Sequence, residues 1–249
     1  MMQIFNMNQA KEWNNLVQSF TNYDVYYLSG YVKAFQIHGD GEPQLFYYDE
    51  KGLRGIYVYM KRKTAIEGVF DSITPYGYGG FLLEGDTSEE NVKALWAAYV
   101  DRMKEENIVD NFVRYHPVLA YAVPMKTCSD VIDLGKTVAM DLTSEEVIWK
   151  NIHSKNRNMI RKAEKNGIVI KHGQGLELFD DFIKIYNATM DKDNAEAYYY
   201  FKPEFYKSIH EDLKDNYEMF WAEYEGKIIA MSIMIFANGR LNYHLSGSD

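Results

Sequence analysis

Residues 217–245 read YEMFWAEYEGKIIAMSIMIFANGRLNYHL. Three runs rich in aromatic and β-branched side chains are cut twice, at Glu225-Gly226 and at Asn238-Gly239. Two-residue punctuation of this kind is what a tight hairpin needs, because its central residues take positive φ. The stretch therefore predicts a meander of three antiparallel strands, Tyr217 to Tyr224, Lys227 to Ala237 and Arg240 to Leu245. A second hairpin signal lies far upstream, where Gln44 to Tyr48 and Leu53 to Met60 flank Asp49-Glu50-Lys51-Gly52. The two stretches echo each other: FYYDEKGLRGIYVYM begins at Phe46 and FWAEYEGKIIAMSIM at Phe220. Phe46/Phe220 and Gly52/Gly226 are both 174 apart, so they align without a gap. A fixed offset of this kind points to two related halves.

The other elements fall around these hairpins. Asn8 to Phe20 and Thr87 to Glu106 read as helices, and Asn111 to Tyr115 as a strand ending at His116-Pro117. A Gly- and Tyr-rich stretch, Pro75 to Gly80, leads into Phe81-Leu82-Leu83. Val131 to Leu142 offers short strands. Beyond it come a helix from Ser144 to Asn166, a strand from Ile168 to His172, and helices at Leu178 to Met190 and Pro203 to Lys214. Thr87-Ser88-Glu89-Glu90 and Thr143-Ser144-Glu145-Glu146 both fit a capping box with Thr as the cap. The expected fold is α/β (α+β) in two domains, residues 1–135 and 136–249, with mixed, mostly antiparallel sheets flanked by helices. Shifting Asp249 back by 174 lands on Pro75, before the first half is finished, so the second domain is expected to be incomplete.

Composition narrows the function classes. The formal net charge is -9 and the pI about 5.2, which argues against a general nucleic-acid or anionic-surface binder. A local basic cleft on an acidic protein stays open. Cys128 is the single cysteine, so no intrachain disulfide can form and a reducing, cytoplasmic setting is expected. The start, MMQIFNMNQAKEWNN, has neither the basic nor the apolar part of a signal peptide. Ile228 to Ala237 is the longest apolar run and is too short to span a bilayer, so no stable membrane insertion is expected.

One segment departs from the acidic background. Lys155 to Lys165 holds five cations, Lys155, Arg157, Arg161, Lys162 and Lys165, against Glu164 alone. At about 100° per residue, Ile148, Trp149, Ile152, Met159, Ile160 and Ala163 share one sector and the cations the opposite side. The apolar stripe is expected to dock on a sheet and the cationic side to face solvent or a cleft. Lys162 and Lys165 are explained by the negative helix end, and Gly167 caps it. Lys155 and Arg157 lie too far upstream for that. Two arginines one turn apart suit bidentate recognition of phosphate or carboxylate.

HSKNRNMIRKAEKNGIVI at 153–170, with PYGYGGFLLEGD at 75–86 and NFVRYHPVL at 111–119, resembles the Fem-type aminoacyltransferases and the related N-acyltransferases of the GNAT superfamily. The resemblance runs over most of the chain and rests on the ordered set of stretches. It implies tandem GNAT-like domains, a substrate cleft between them, and transfer of an acyl or aminoacyl group to an amine on an anionic acceptor of the cell-wall-precursor or amino-sugar type. Lys155, Arg157 and Arg161 would hold the acceptor's anion. The donor would be acyl-CoA or aminoacyl-tRNA, which makes tRNA a possible partner; no metal is implied. Where the family shows Gly-Pro and then an acid, this chain has Gly79-Gly80 and then Glu84, a weak catalytic candidate.

Transfer chemistry needs a proton acceptor for the amine, an oxyanion donor and a cradle for the donor's phosphates. The residues assign none of the three. Tyr76 and Tyr78 on the Gly-rich turn, and Tyr199 within Tyr198 to Phe201, either line a cleft or anchor their loops. His116 before Pro117 closes a strand, with a base role as the lesser alternative. The six histidines show no metal-ligand spacing, and Cys128 reads as incidental. The opposing reading is a GNAT-like protein that binds a ligand or partner without catalysis.

Overall fold

The computed structural model describes residues 1–249 as two compact units. The first comprises Met1–Asp133, Phe201–Asn216 and Phe236–Leu241; the second Leu134–Tyr200, Tyr217–Ile235 and Asn242–Asp249. Along the first half run β1 (Met2–Phe5), α1 (Ala10–Gln18), α2 (Ser29–His38), β2 (Glu42–Glu50), β3 (Leu53–Lys63), β4 (Phe70–Ile73), β5 (Leu82–Gly85), α3 (Glu89–Glu105), β6 (Ile108–Phe112) and α4 (Ala122–Met125). Then come α5 (Glu145–Asn151), α6 (Ser154–Lys165), β7 (Val169–Gly173), α7 (Leu178–Lys192), α8 (Pro203–Asp212), β8 (Tyr217–Tyr224), β9 (Lys227–Ala237) and β10 (Arg240–Ser248). This is an α+β fold with two sheets flanked by helices.

The first sheet runs β1-β2-β3-β4-β6, with β5 pairing to β3. Its pairs are antiparallel except β4 with β6. One face is aromatic: Phe46, Tyr57, Tyr59 and Phe81 meet Val92, Leu95, Tyr99 and Met103 of α3 in a buried cluster. Tyr57 and Tyr59 can sit this deep because their hydroxyls find partners. Tyr57 donates to Asn111 Oδ1 at 2.8 Å and Tyr59 to Gln44 Oε1 at 2.5 Å. Most of the chain's aromatic surplus therefore serves the core. The second sheet, β10-β9-β8-β7, packs Tyr217, Met219, Ile233 and Ile235 with Phe179 and Phe182 of α7 among its buried residues.

The hairpin turns fall where the sequence places them. Lys51-Gly52 has φ 53° and 77°, Glu225-Gly226 48° and 76°, and Asn238-Gly239 49° and 73°. The echo extends to whole elements: shifting α2 by 174 lands on α8, and shifting Leu53–Lys63 lands on Lys227–Ala237. The two equivalent helices pack together within the first unit. Gly30 lies against the Asp212 backbone, Phe35 meets Phe205 at 5.1 Å, and Lys33 pairs with Asp212 at 2.8 Å.

Four expectations change. The helix expected from Ser144 to Asn166 is two helices, broken at Ile152-His153, where ψ turns to 130° and 141°. The His153 ring supplies the cap of the second, accepting from Lys155 N–H at 3.3 Å. Val131 to Leu142 forms no strand, although Ile132, Leu134, Val138, Met140 and Leu142 alternate. The strand expected at Asn111 to Tyr115 lies earlier, as β6, with Tyr115 making a single bridge to Gly79. The caps are Ser88 and Ser144, not the threonines before them: Ser144 accepts from Val147 N–H at 3.2 Å, while the Ser88 hydroxyl makes no cap bond.

Candidate functional site

In the first unit the Gly- and Tyr-rich stretch is held by its backbone. Tyr31 donates to Tyr76 O at 2.5 Å and Tyr27 to Gly80 O at 2.7 Å. Gly79 N–H donates to Arg114 O, and His116 N–H donates back to Gly79 O, both at 2.9 Å. Two glycines are demanded by packing. Gly77 has φ 93° and a Cβ there would meet the Tyr26 ring at 2.5 Å; Gly80 has φ 114° and its Cβ would meet the Tyr115 ring at 2.6 Å. The close approaches these two glycines permit are made by the protein's own tyrosines. Tyr76 stacks on Phe35 at 5.4 Å, and Tyr78 lies 5.8 Å from Tyr26 and 5.9 Å from His116. Both side chains stay half-buried, with part of each ring open.

Beneath this loop lies a pair that spacing in the sequence does not reveal. His116 Nε2 meets Asp24 Oδ2 at 3.0 Å, and both residues are buried. His116 Nδ1 accepts from Val118 and Leu119 N–H, each at 3.2 Å, so Nε2 carries the hydrogen and donates it to Asp24. The other Asp24 oxygen caps the 3-10 turn Val25–Tyr27 through Val25 N–H at 2.6 Å. Tyr26 and Tyr27 are thereby set under the loop. Burial, then the Asp24 charge, push the Tyr26 phenol up, so it stays protonated. His116 does more than close a strand: with both ring nitrogens engaged, it positions.

Glu84 sits on β5 opposite Arg54 of β3. Its oxygens accept from Thr21 N–H at 2.5 Å and from Arg54 Nε and Nη2 at 3.0 and 2.5 Å. Burial works to raise its pKa, but the Thr21 N–H and the Arg54 guanidinium outweigh that and hold it below the usual carboxylate range. A carboxylate so engaged is a weak proton acceptor, and the geometry gives it a structural duty. Its folded pKa lies below the unfolded value of about 4.3, so its stabilisation is complete above that pH and fades as pH falls through the folded pKa. Glu84→Gln should melt lower than wild type at neutral pH, with the gap closing in acid. Melting curves that stay parallel at every pH would contradict this.

In the second unit the two arginines of α6 fold back over α5. Arg157 Nη1 donates to the carbonyls of Ile152, Trp149 and Lys150 at 2.6, 3.1 and 3.4 Å, satisfying the open end of α5. The Arg161 guanidinium lies 5.1 Å from the centre of the Trp149 ring, a cation–π contact, and Nη1 donates to Asn158 Oδ1 at 3.3 Å. The expected docking of the apolar stripe on a sheet is not found: neither helix has a buried residue, and Met159 is 58% exposed. The stripe is divided: Trp149 of α5 lies against the Arg161 guanidinium, while Met159, Ile160 and Ala163 lie on the other side of α6. Gly167, with φ 81°, ends α6 as the sequence predicts, and Ile168 N–H reaches Ala163 O at 3.1 Å. Lys155 stands in the first turn of α6. Tyr199 lies in the 3-10 turn Ala197–Tyr199, edge-on to Tyr198 and partly open. Lys155, Arg157, Arg161 and Tyr199 thus belong to the second unit, and Tyr76, Tyr78 and Glu84 to the first.

Comparison with known proteins gives a context to this geometry. Residues 140–244, which include the whole α5–α6 segment, match the FemAB-like family, described as acting in peptidoglycan biosynthesis and recognition. Among solved structures, FemX superposes over 100% of this chain and 80% of its own, with TM-score 0.69 at 14% identity. The C-terminal domain of a putative lysylphosphatidylglycerol synthetase from Agrobacterium fabrum covers 98% of this chain and 69% of its own, with TM-score 0.55 at 13% identity. A conserved protein of unknown function from Bacteroides thetaiotaomicron covers 100% and 81%, with TM-score 0.52 at 11% identity. No curated protein matches in sequence. Likeness at such identities speaks for the fold. Residues 140–244 are similar in sequence to the FemAB-like family, and the whole chain carries the fold of FemX.

Proposed function

We propose that this chain is an N-acyltransferase of the peptidoglycan aminoacyltransferase type, passing an aminoacyl group from aminoacyl-tRNA to an amine on an anionic cell-wall-type acceptor. The observation that carries the reading is the basic α6, presented on an open surface inside the segment that matches the FemAB-like family, in a chain with the FemX fold. In the proposed reaction the acceptor amine attacks the ester carbonyl. An amide forms, the ester C–O bond breaks, and the ribose hydroxyl leaves with the proton the amine gave up. Lys155, Arg157 and Arg161 supply the positive field for the acceptor's anion, and Arg157 and Arg161 are already braced by their contacts with α5. Tyr76, Tyr78 and Tyr199 keep part of their surface open and are the candidates for aromatic contacts to substrate.

The test is mass spectrometry of a nucleotide-linked muropeptide precursor after incubation with the protein and charged tRNA. An added aminoacyl mass that disappears on ribonuclease treatment is the expected result. A product formed from acyl-CoA and indifferent to ribonuclease would move the donor assignment. One observation favours a second reading, in which the chain binds its anion without catalysis: Glu84, the acidic candidate, is already engaged by Thr21 and Arg54. Precursor binding with no product from either donor would select it.

A further inference from the structure

Apolar surface in this chain is unevenly exposed. Eleven of its twenty-four exposed large hydrophobic residues fall between Ile132 and Leu176. Within that stretch α6 has a distinctive section. Met159, 58% exposed, Ile160, 37% exposed, and Ala163 share one third of the helix circumference. Lys155 and Lys162, expected opposite the stripe, instead border that sector on one side; Glu164 borders it on the other and Asn156 lies within it. Arg157 and Arg161 leave on the far side, where they hold α5. The apolar residues therefore point away from their partner helix. The approach to the helices adds Val138, Met140 and Leu142, all exposed.

We propose that this face of α6 docks on the surface of an anionic lipid bilayer, with Met159, Ile160 and Ala163 entering the boundary between headgroups and acyl chains and Lys162 reaching lipid phosphates at its rim. An apolar sector edged by lysines is the pattern of an interfacial helix, because the long stems can lie along the apolar surface while the ammonium groups stay wet. A protein partner fits less well, since lysine is depleted from the cores of protein interfaces. Charge complementarity is local: five cations against Glu164 on α6, in a chain whose net charge is -9. The nearby acids Glu145 and Glu146 sit at the far end of α5, where they complement its helix dipole. No helix is long and apolar enough to cross a membrane, so the contact is with the surface. The inference stands on exposure and phasing and does not depend on the acceptor or donor.

Co-sedimentation of the full chain with vesicles tests it. Binding is expected to mixed phosphatidylglycerol–phosphatidylcholine vesicles, to weaken as salt rises, and to be much poorer on phosphatidylcholine alone. Met159→Glu combined with Ile160→Glu should weaken vesicle binding at least about tenfold, since two exposed apolar anchors are lost. Both positions are exposed, so the circular dichroism spectrum should stay that of wild type. Lys162→Gln should weaken binding and reduce its salt dependence. The double variant should keep wild-type affinity for soluble muropeptide precursor, which separates this face from the arginine side. Absence of binding to anionic vesicles, equal binding to neutral ones, or vesicle binding indifferent to the double variant would overturn the proposal.

Discussion

Alanine in place of His116 should destabilise the first unit by about 1.5–3 kcal/mol, the loss of a hydrogen bond to a buried carboxylate. Asp24 is fully buried, and the His116 ring donates to its carboxylate at 3.0 Å. Removing the ring also strips an acceptor from Val118 and Leu119 N–H and a neighbour from Tyr26, Tyr78 and Tyr121. Urea denaturation gives the measurement, as a fall in midpoint with the slope little changed. A double-mutant cycle isolates the cause. Asp24→Asn removes the charge while keeping an oxygen for Val25 N–H, so its addition to His116→Ala should cost far less than it does alone. Additive costs would show that the pair is two independent packing sites.

That pair also shows where sequence reasoning stopped. Asp24 and His116 stand 92 positions apart and meet only because the Val25–Tyr27 turn and the residues after β6 bracket the Pro75 to Gly80 loop. No local spacing encodes this. Turn chemistry, by contrast, is local, and Lys51-Gly52, Glu225-Gly226 and Asn238-Gly239 were legible because their φ values demand residues of that kind. The offset of 174 proved deeper than the two positions that suggested it, for it relates whole elements, α2 to α8 and β3 to β9. α2 itself is hard to read. SGYVKAFQIH places Gly30 inside a helix, where it looks like a breaker until α8 is seen lying against it. The break between α5 and α6 has neither Pro nor Gly to announce it. It is made by a histidine ring capping one helix and an arginine closing the other. Val131 to Leu142 errs the other way, since its alternation is real but no neighbouring strand completes it.

The same arginine supports the second large effect. Replacing Arg157 and Arg161 together with alanine should lower affinity for the anionic acceptor by roughly tenfold to a hundredfold, if each contributes a charge-assisted hydrogen bond discounted for partial exposure. Arg157 deserves the larger share. It is half-buried, and its Nη1 is fixed on the α5 carbonyls, so a bound anion would meet a guanidinium whose rotamer entropy has already been lost. Arg161 is exposed and braced by Trp149 alone on its ring side, so its contribution is more heavily screened. Arg157→Lys divides charge from geometry. Lysine keeps the positive field but loses the planar fork, so affinity should fall while the salt dependence of binding persists. In the double alanine variant both should decline, because two cations no longer face the ligand. Global melting should move little in either case, since α5 and α6 contain no buried residue whose loss would open the core. Isothermal titration with a nucleotide-linked muropeptide precursor at two salt concentrations reads all of these quantities. Wild-type affinity in the double variant would remove α6 from the acceptor site.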